Sequence, residues 1–153
     1  MSTQAAVIAS VEVPTTPARA FELWTTGINQ WWKKGTPYWN DKIRARGLRF
    51  EPGVGGRFLE VYDETAGEGL EIGRISVWEP RNRLVYTWRE AGWTPQEVTQ
   101  VEVRFEPTPG GTRVTVTHSG WETVREGQKR CEGYGRGHNE LRGWYREAAT
   151  AGI

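Results

Sequence analysis

The sequence predicts an α+β fold in which a curved antiparallel sheet of about six or seven strands closes around one long C-terminal helix. Three observations carry this prediction. Short segments of alternating apolar and polar residues run through most of the chain, as in strands with one buried face. Turns rich in Gly and Pro separate these segments. A single long amphipathic pattern then extends from about Thr123 to Ala149.

The first strand and two short helices are predicted near the start of the chain. Residues 7–13 alternate between apolar and polar side chains, which indicates a strand. Thr16 fits the N-cap of a helix and Pro17 its first position. Phe21 and Trp24 then recur at helical spacing. A second short helical turn is expected after the glycine that breaks this pattern.

Six further segments have the alternation of strands. They cover residues 43–50, 57–63, 70–78, 83–90, 99–106 and 113–119. The connections between most of them are short, so successive strands are expected to be neighbours. The predicted sheet is therefore an antiparallel meander with one face in water and one against the long helix.

Composition places the chain in the class of ordinary globular domains. Its 153 residues suit one domain, predicted to span residues 1–153. Twenty basic and 19 acidic residues leave a formal net charge of +1, which does not favour a dedicated nucleic-acid partner. The sequence suggests no cofactor, and it leaves open whether the chain forms a homodimer.

The location is predicted from three features of the sequence. Cys131 is the only cysteine, so no internal disulfide forms, which fits a reducing compartment. The N-terminal stretch lacks the basic region and apolar run of a signal peptide. No segment approaches the roughly 20 apolar residues of a membrane span. We therefore expect a cytoplasmic protein without a membrane span.

The long helix carries glycines where a buried face needs bulk. Its apolar stripe consists of Gly133, Gly137, Leu141, Trp144 and Ala148. Each glycine inside a helix costs about 1 kcal/mol relative to alanine. One explanation is close approach of the helix backbone to a strand or a Trp ring. The other is that missing side chains leave volume for a ligand, and the sequence does not decide between them.

The nine tryptophans leave a similar choice. Indole rings bury much apolar area, but each ring N–H needs a partner. The rings either fill a solid core or line an aromatic pocket, and different rings can do each.

Several motifs together resemble a known family. They are Pro-Gly-Val-Gly-Gly at 52–56, Leu-Val-Tyr-Thr-Trp at 84–88 and Thr-His-Ser-Gly at 117–120. With the first strand and helix they resemble the bacterial single-domain branch of the activator-of-heat-shock-ATPase-like family, within the START-like or SRPBCC superfamily. The resemblance runs from about Val7 to Ala149. The run Gly-Tyr-Gly-Arg-Gly-His at 133–138 departs from it, because relatives often have fewer glycines there.

This resemblance implies a helix-grip fold with a deep cavity between the sheet and the long helix. Members of the superfamily hold lipids, sterols, hormones and polyketides, and some are cyclases or components of hydroxylases. The eukaryotic namesake of the family stimulates a chaperone ATPase. The resemblance provides no shared set of catalytic residues.

Two histidines and one glutamate are the candidates for chemistry. His118 is in phase with Val114 and Val116, so its side chain is a candidate general base in the cavity. A hydrogen-bonded structural histidine at a strand end is the favoured interpretation. A metal site needs three or four ligands. The histidines and cysteine that the sequence offers are His118, His138 and Cys131, so no metal site is predicted.

The orientation of Glu60 depends on which face of its strand is buried. If Phe58 faces the cavity, Glu60 faces it too, as an acid or a polar anchor. If Leu59 and Val61 are the buried pair, Glu60 is solvated, and this second case is slightly favoured.

Three functions are compatible with these observations. The leading hypothesis is the binding of a small apolar or aromatic molecule in the cavity. The second is a cyclase or hydrolase that uses His118 or Glu60 as a base, and the third is a module that modulates a chaperone or another enzyme. No catalytic set is assigned. The predicted ligand-binding residues are Phe58, Glu60, Trp88, His118, Tyr134, Gly137, His138 and Trp144.

Overall fold

A computed structural model describes residues 6–151. Residues 1–5, part of the stretch predicted not to be a signal peptide, lie outside the described residues, as do residues 152–153. The strands are β1 Val7–Val13, β2 Gly47–Phe50, β3 Arg57–Asp63, β4 Glu68–Glu79, β5 Arg83–Trp88, β6 Thr99–Thr108 and β7 Gly111–Ser119. The α-helices are α1 Pro17–Trp24 and α2 Gly127–Ala151, and one-turn 3-10 helices lie at Ile28–Gln30 and Trp121–Thr123.

The seven strands form one antiparallel sheet in the order β1-β7-β6-β5-β4-β3-β2. Strands β2 to β7 pair in sequence order, while β1 pairs with β7 at the far edge. The sheet curls around α2, and α1 lies between β1 and β2 in the chain. The predicted fold class is thus confirmed, with seven strands.

The first elements form for the reasons that the sequence gives. Val7, Ala9 and Val13 of β1 are buried while the residues between them are largely exposed. The side chain of Thr16 accepts a hydrogen bond from the backbone N–H of Arg19 at 3.2 Å, which caps α1. This helix then buries its apolar face in the main core.

The long helix begins four residues later than predicted. Residues 121–123 form a separate 3-10 turn, and Glu126 takes a left-handed backbone conformation with φ of 54° just before α2. The hydroxyl of Thr123 donates to the carbonyl oxygen of Val98 at 2.7 Å instead of starting a helix. Trp121, in the same turn, is buried, so this turn packs its indole ring into the core beside α2.

The buried face of α2 is also rotated from the predicted stripe. Its fully buried residues are Cys131, Tyr145 and Ala149, whereas the predicted stripe residues are only half-buried. Tyr145 enters the core because its hydroxyl donates to the carbonyl oxygen of Ala20 at 2.7 Å. A helical wheel that scores tyrosine as a flanking residue misses this, since a tyrosine is readily buried once its hydroxyl has a partner.

Candidate ligand cavity

A cavity of about 290 Å³ lies between α2 and the sheet. Ligand pockets in proteins have volumes of about 300–1,000 Å³, so this cavity lies at the lower limit of that range. Of the eight predicted site residues, seven line it and are brought together: Phe58, Glu60, Trp88, His118, Tyr134, Gly137 and His138. Trp144 does not line the cavity. It lies half-buried beside it, with Lys33 over its ring at 5.2 Å.

The floor of the cavity is aromatic. Phe58, Tyr86 and Trp88 line it, and Phe50, which does not line the cavity, stacks on Phe58 with the ring centroids 4.0 Å apart. Tyr86 packs edge-on against both rings, and Trp88 lies next to Phe58 at 6.2 Å. These side chains alternate along β2, β3 and β5, so the pleat of each strand presents them on the concave face of the sheet.

Glu60 is buried, with 1% of its surface exposed, so the slightly favoured solvated orientation is wrong. The backbone N–H groups of Asn40 and Asp41 each donate to its carboxylate at 2.8 Å. The side-chain amide of Asn40 and the hydroxyl of Tyr62 donate to it as well. Four donors thus compensate the buried carboxylate, and Glu60 fixes a loop to the sheet.

This loop, residues 33–46, is called the strap here. It runs across one side of the cavity, where Pro37, Tyr38, Trp39 and Asn40 line the wall. Its shape is fixed by two indole N–H groups, which donate to strap carbonyl oxygens at 2.8 and 3.1 Å. The sequence reasoning missed the strap, although two aromatic residues inside a polar, Pro- and Gly-containing segment were a signal that it is packed.

The glycines of α2 meet the strap and the cavity, not a strand or a Trp ring. A Cβ placed on Gly137 would lie 3.2 Å from Cε1 of Tyr38 in the strap. A Cβ on Gly133 would meet only the end of the Arg136 side chain, at 3.8 Å. Both glycines line the cavity. Gly133 therefore keeps space open, while Gly137 admits the Tyr38 ring.

A polar corner lies at one end of the cavity. Nε2 of His118 lies 2.7 Å from the hydroxyl of Thr99, and its Nδ1 lies 3.3 Å from Nε2 of His138. Burial, and then the neighbouring His138, holds the pKa of His118 well below its usual 6.5. Burial, and then the charge of Arg142, lowers the pKa of His138 to about 4. Both rings are therefore neutral near pH 7.

A second polar group borders this corner. The indole N–H of Trp88 donates to the hydroxyl of Tyr134 at 2.9 Å. That hydroxyl donates in turn to the carboxylate of Glu90. Burial and the adjacent Glu90 raise the pKa of Tyr134, so its phenol stays protonated. Trp88 and Tyr134 therefore satisfy each other instead of presenting free donors to a ligand.

Neither a metal site nor a membrane-spanning helix is found among the described residues. Within residues 6–151, no group of three or more His, Cys, Asp or Glu side chains is placed to hold a metal ion. None of the helices described there is long and apolar enough to cross a membrane.

The curled sheet, the C-terminal helix and the cavity between them define a START-like protein of the SRPBCC superfamily. The chain belongs to the family described as "Activator of Hsp90 ATPase homolog 1-like protein", which it matches over residues 14–143. The family resemblance predicted from the sequence motifs is thus confirmed. No curated protein matches the chain.

Solved structures share the architecture at low identity. A Mesorhizobium loti protein is 24% identical with a TM-score of 0.68, and the match covers 94% of this chain and 95% of that one. A Nitrosomonas europaea protein is 18% identical with a TM-score of 0.67, covering 97% and 96%. DynU16, from the dynemicin biosynthetic locus, is 20% identical with a TM-score of 0.68, covering 95% of this chain and 47% of its own length. These likenesses show the fold alone.

Proposed function

We propose that this protein binds a small hydrophobic or aromatic molecule in the cavity between the sheet and α2. The observation that carries the proposal is the volume of the cavity. The cavity holds about 290 Å³ where one water molecule occupies roughly 30 Å³ of liquid. Its wall combines stacked aromatic rings with a few polar groups, which is the usual composition of a small-molecule site.

The glycine at position 133 supports the same function. It lies inside α2 and lines the cavity, yet a Cβ there would make no contact closer than 3.8 Å. Packing therefore does not require the glycine, although it costs about 1 kcal/mol of helix stability relative to alanine. Space for a ligand is a reason for a glycine at this position.

The enzyme hypothesis is weaker because neither base suggested by the sequence is free to react. Both carboxylate oxygens of Glu60 already accept hydrogen bonds from the strap and Tyr62. Both ring nitrogens of His118 have partners in Thr99 and His138. A general base needs an open position next to the proton that it removes. The same arrangement suits a binding site, in which polar side chains are fixed before the ligand arrives.

The family description gives a second candidate function, which is modulation of a chaperone ATPase through the protein surface. The two functions separate in one comparison. Recovery of a chaperone in a pull-down, unchanged when the cavity is filled by mutation but lost on reversal of surface charges, would favour the second function.

We also propose a cytoplasmic location for the protein. It rests on Cys131, the only cysteine of the sequence, whose thiol is buried and free in the structure. A reporter fusion followed by cell fractionation tests this location, and recovery outside the cytoplasm would contradict it.

Two measurements test the binding function. Organic extraction and native mass spectrometry of freshly purified protein would show a co-purifying molecule. Titration with N-phenyl-1-naphthylamine, a neutral dye whose fluorescence rises in apolar sites, measures access to the cavity. We expect saturable binding of the dye by the wild-type protein. An absence of both a co-purifying molecule and dye binding would contradict the proposal.

A matched pair of variants locates the binding. Gly133→Leu places a side chain beside the cavity and is expected to weaken dye binding at least about tenfold. Gly143→Leu introduces the same side chain on α2 at an exposed glycine that does not line the cavity, so its affinity should be unchanged. Circular dichroism checks that α2 is intact in each variant. Equal loss in both variants would place the dye elsewhere.

A further inference from the structure

The hydrogen bonds of the polar corner fix the position of each proton. Thr99 has one hydroxyl proton, and its oxygen donates at 3.0 Å to the carbonyl oxygen of Trp88. With that proton directed to the carbonyl oxygen, which can only accept, the same oxygen accepts from Nε2 of His118, which lies 2.7 Å away. His118 accordingly carries its proton on Nε2, and its Nδ1 is an acceptor.

The order continues to the second histidine. Nδ1 of His118 lies 3.3 Å from Nε2 of His138, with the two rings nearly perpendicular at 88°. Because Nδ1 of His118 accepts, Nε2 of His138 is the donor. A neutral imidazole carries only one N–H, so Nδ1 of His138 is left with a lone pair. The carbonyl oxygen of Trp88 on β5 thus determines, through Thr99 and His118, that Nδ1 of His138 is an acceptor. This nitrogen is the last atom in the series of hydrogen bonds.

This last atom is accessible. Among the described residues, Nδ1 of His138 makes no hydrogen bond to another side chain or to the backbone. It is also not sealed in the core, because in residues 6–151 the buried side-chain nitrogens and oxygens without a partner are Arg89 Nε and Trp93 Nε1. His138 is half-buried and lines the cavity.

The charges around His138 favour its neutral form. The guanidinium of Arg142 lies one turn along α2 and is held by the carbonyl oxygen of Ser10 and the side chain of Asn139. Glu90, a carboxylate that also lines the cavity, accepts a hydrogen bond from Tyr134. The pKa of His138, lowered to about 4, agrees with this surrounding.

We infer that the cavity selects aromatic ligands that carry a hydrogen-bond donor, such as a phenolic hydroxyl, and that Nδ1 of His138 accepts this hydrogen bond. The inference rests on the proposed binding function and names the ligand class for it. The aromatic part follows from the rings of Phe58, Tyr86 and Trp88, which line the cavity. The donor follows from the acceptor that the chain of hydrogen bonds leaves exposed, since an unpaired polar atom in a ligand site costs affinity.

A pair of probes of the same skeleton tests the ligand class. 2-Naphthol carries the donor, and 2-methoxynaphthalene lacks it. Competition against N-phenyl-1-naphthylamine gives both affinities. We expect 2-naphthol to bind about three- to tenfold more tightly, the range that one net hydrogen bond provides. His138→Leu should abolish this preference while leaving the affinity for the ether within about twofold.

A second variant tests the series of hydrogen bonds that runs from Thr99 through His118 to His138. Thr99→Val removes the acceptor for Nε2 of His118, so that the two rings are free to reverse their protons. We expect the preference for 2-naphthol to fall, although Thr99 does not line the cavity. A two-bond proton–nitrogen correlation spectrum of the histidines reports the tautomers directly. The wild type should show protonated Nε2 and unprotonated Nδ1 for both rings.

The outcomes are separable. Equal affinity of the two probes for the wild type would overturn the inference and leave the binding function intact. Failure of both probes and of the dye to bind would contradict the binding function and the inference together. A spectrum with Nδ1 of His138 protonated overturns the inference even if the His138→Leu variant does not fold.

Discussion

The two halves of α2 face the sheet in opposite ways. In the C-terminal half, Tyr145 is fully buried, and its ring packs at 5.1 Å from Trp24 and 5.2 Å from Trp31. In the N-terminal half, Gly133 leaves the helix backbone bare beside the cavity, and Gly137 lies against the ring of Tyr38. One half is held in the main core by interlocked aromatic rings, and the other presents its glycines to the cavity beside the smaller cluster that contains Cys131 and packs against Tyr134.

This difference separates stability from the proposed binding along a single element. Glycines weaken a helix, so an isolated segment with the composition of residues 133–137 would not form a stable helix. It persists here because the C-terminal half is anchored in the core and because the strap packs against the glycine face. The free energy gained by packing at one end therefore permits open space at the other end.

Tyr145→Ala breaks the anchored half and has the largest expected effect. Removal of a buried aromatic side chain costs about 3–5 kcal/mol of unfolding free energy. Part of this loss comes from the hydrogen bond to the carbonyl oxygen of Ala20, which Tyr145→Phe removes alone at about 1 kcal/mol. Urea unfolding followed by tryptophan fluorescence measures both variants. A loss below about 1 kcal/mol for the alanine variant would show that this half is not the anchor.

A lower pH is expected to reduce the free energy of unfolding through His138, in the N-terminal half of α2. Unfolded histidine takes up a proton near pH 6.5, whereas folded His138 does so only near about pH 4. As the pH falls between these values, the unfolded state binds more protons, so the free energy of unfolding decreases. For His138 alone the decrease approaches about 3 kcal/mol. Urea unfolding between about pH 7 and pH 4.5 measures this dependence.

The matched control is His138→Gln, which keeps a polar side chain but does not titrate. Its stability should depend less on pH over the same interval. The guanidinium of Arg57 lowers the pKa of the Glu51 carboxyl from 4.5 to about 2, so Glu51 adds to the pH dependence mainly below pH 4.5, where the unfolded state takes up the proton first, and not in this window. The same pH dependence in both proteins would show that His138 is not the group responsible.

The sheet and α1 were largely predictable from the sequence. Strand alternation, the Thr16 cap and the short turns are local signals, and each determines its element without knowledge of the remainder of the chain. The position of the buried face of α2 was not local. It depends on the carbonyl oxygen of Ala20, which accepts from Tyr145 across the core.

The residues that line the cavity were largely predictable from the sequence, but their hydrogen bonding was not. Alternation places Phe58 and Glu60 on one strand face, but β3 is buried on both faces, so the pattern could not orient Glu60. The strap decides this, because its backbone N–H groups supply the donors. Likewise, the proton positions of the histidines depend on Thr99, which the sequence does not connect with them.

Gly133→Ala gives the smallest effect and tests the comparison most finely. Alanine in a helix interior is more stable than glycine by up to about 1 kcal/mol, provided that its methyl group meets no obstacle. At Gly133 the nearest side-chain atom would be 3.8 Å away, and at the exposed Gly143 no atom lies within 4 Å. Both alanine variants should therefore unfold at higher urea concentration than the wild type, by the same amount.

The comparison of these two variants distinguishes open space from hidden packing. If Gly133→Ala is destabilising while Gly143→Ala is stabilising, the helix backbone at position 133 is in close contact with the sheet. The two halves of α2 would then be packed alike, and the room assigned to a ligand would be lost. If both are stabilising, the glycine is not required by packing, and its cost of about 1 kcal/mol is explained by the volume that it leaves in the cavity.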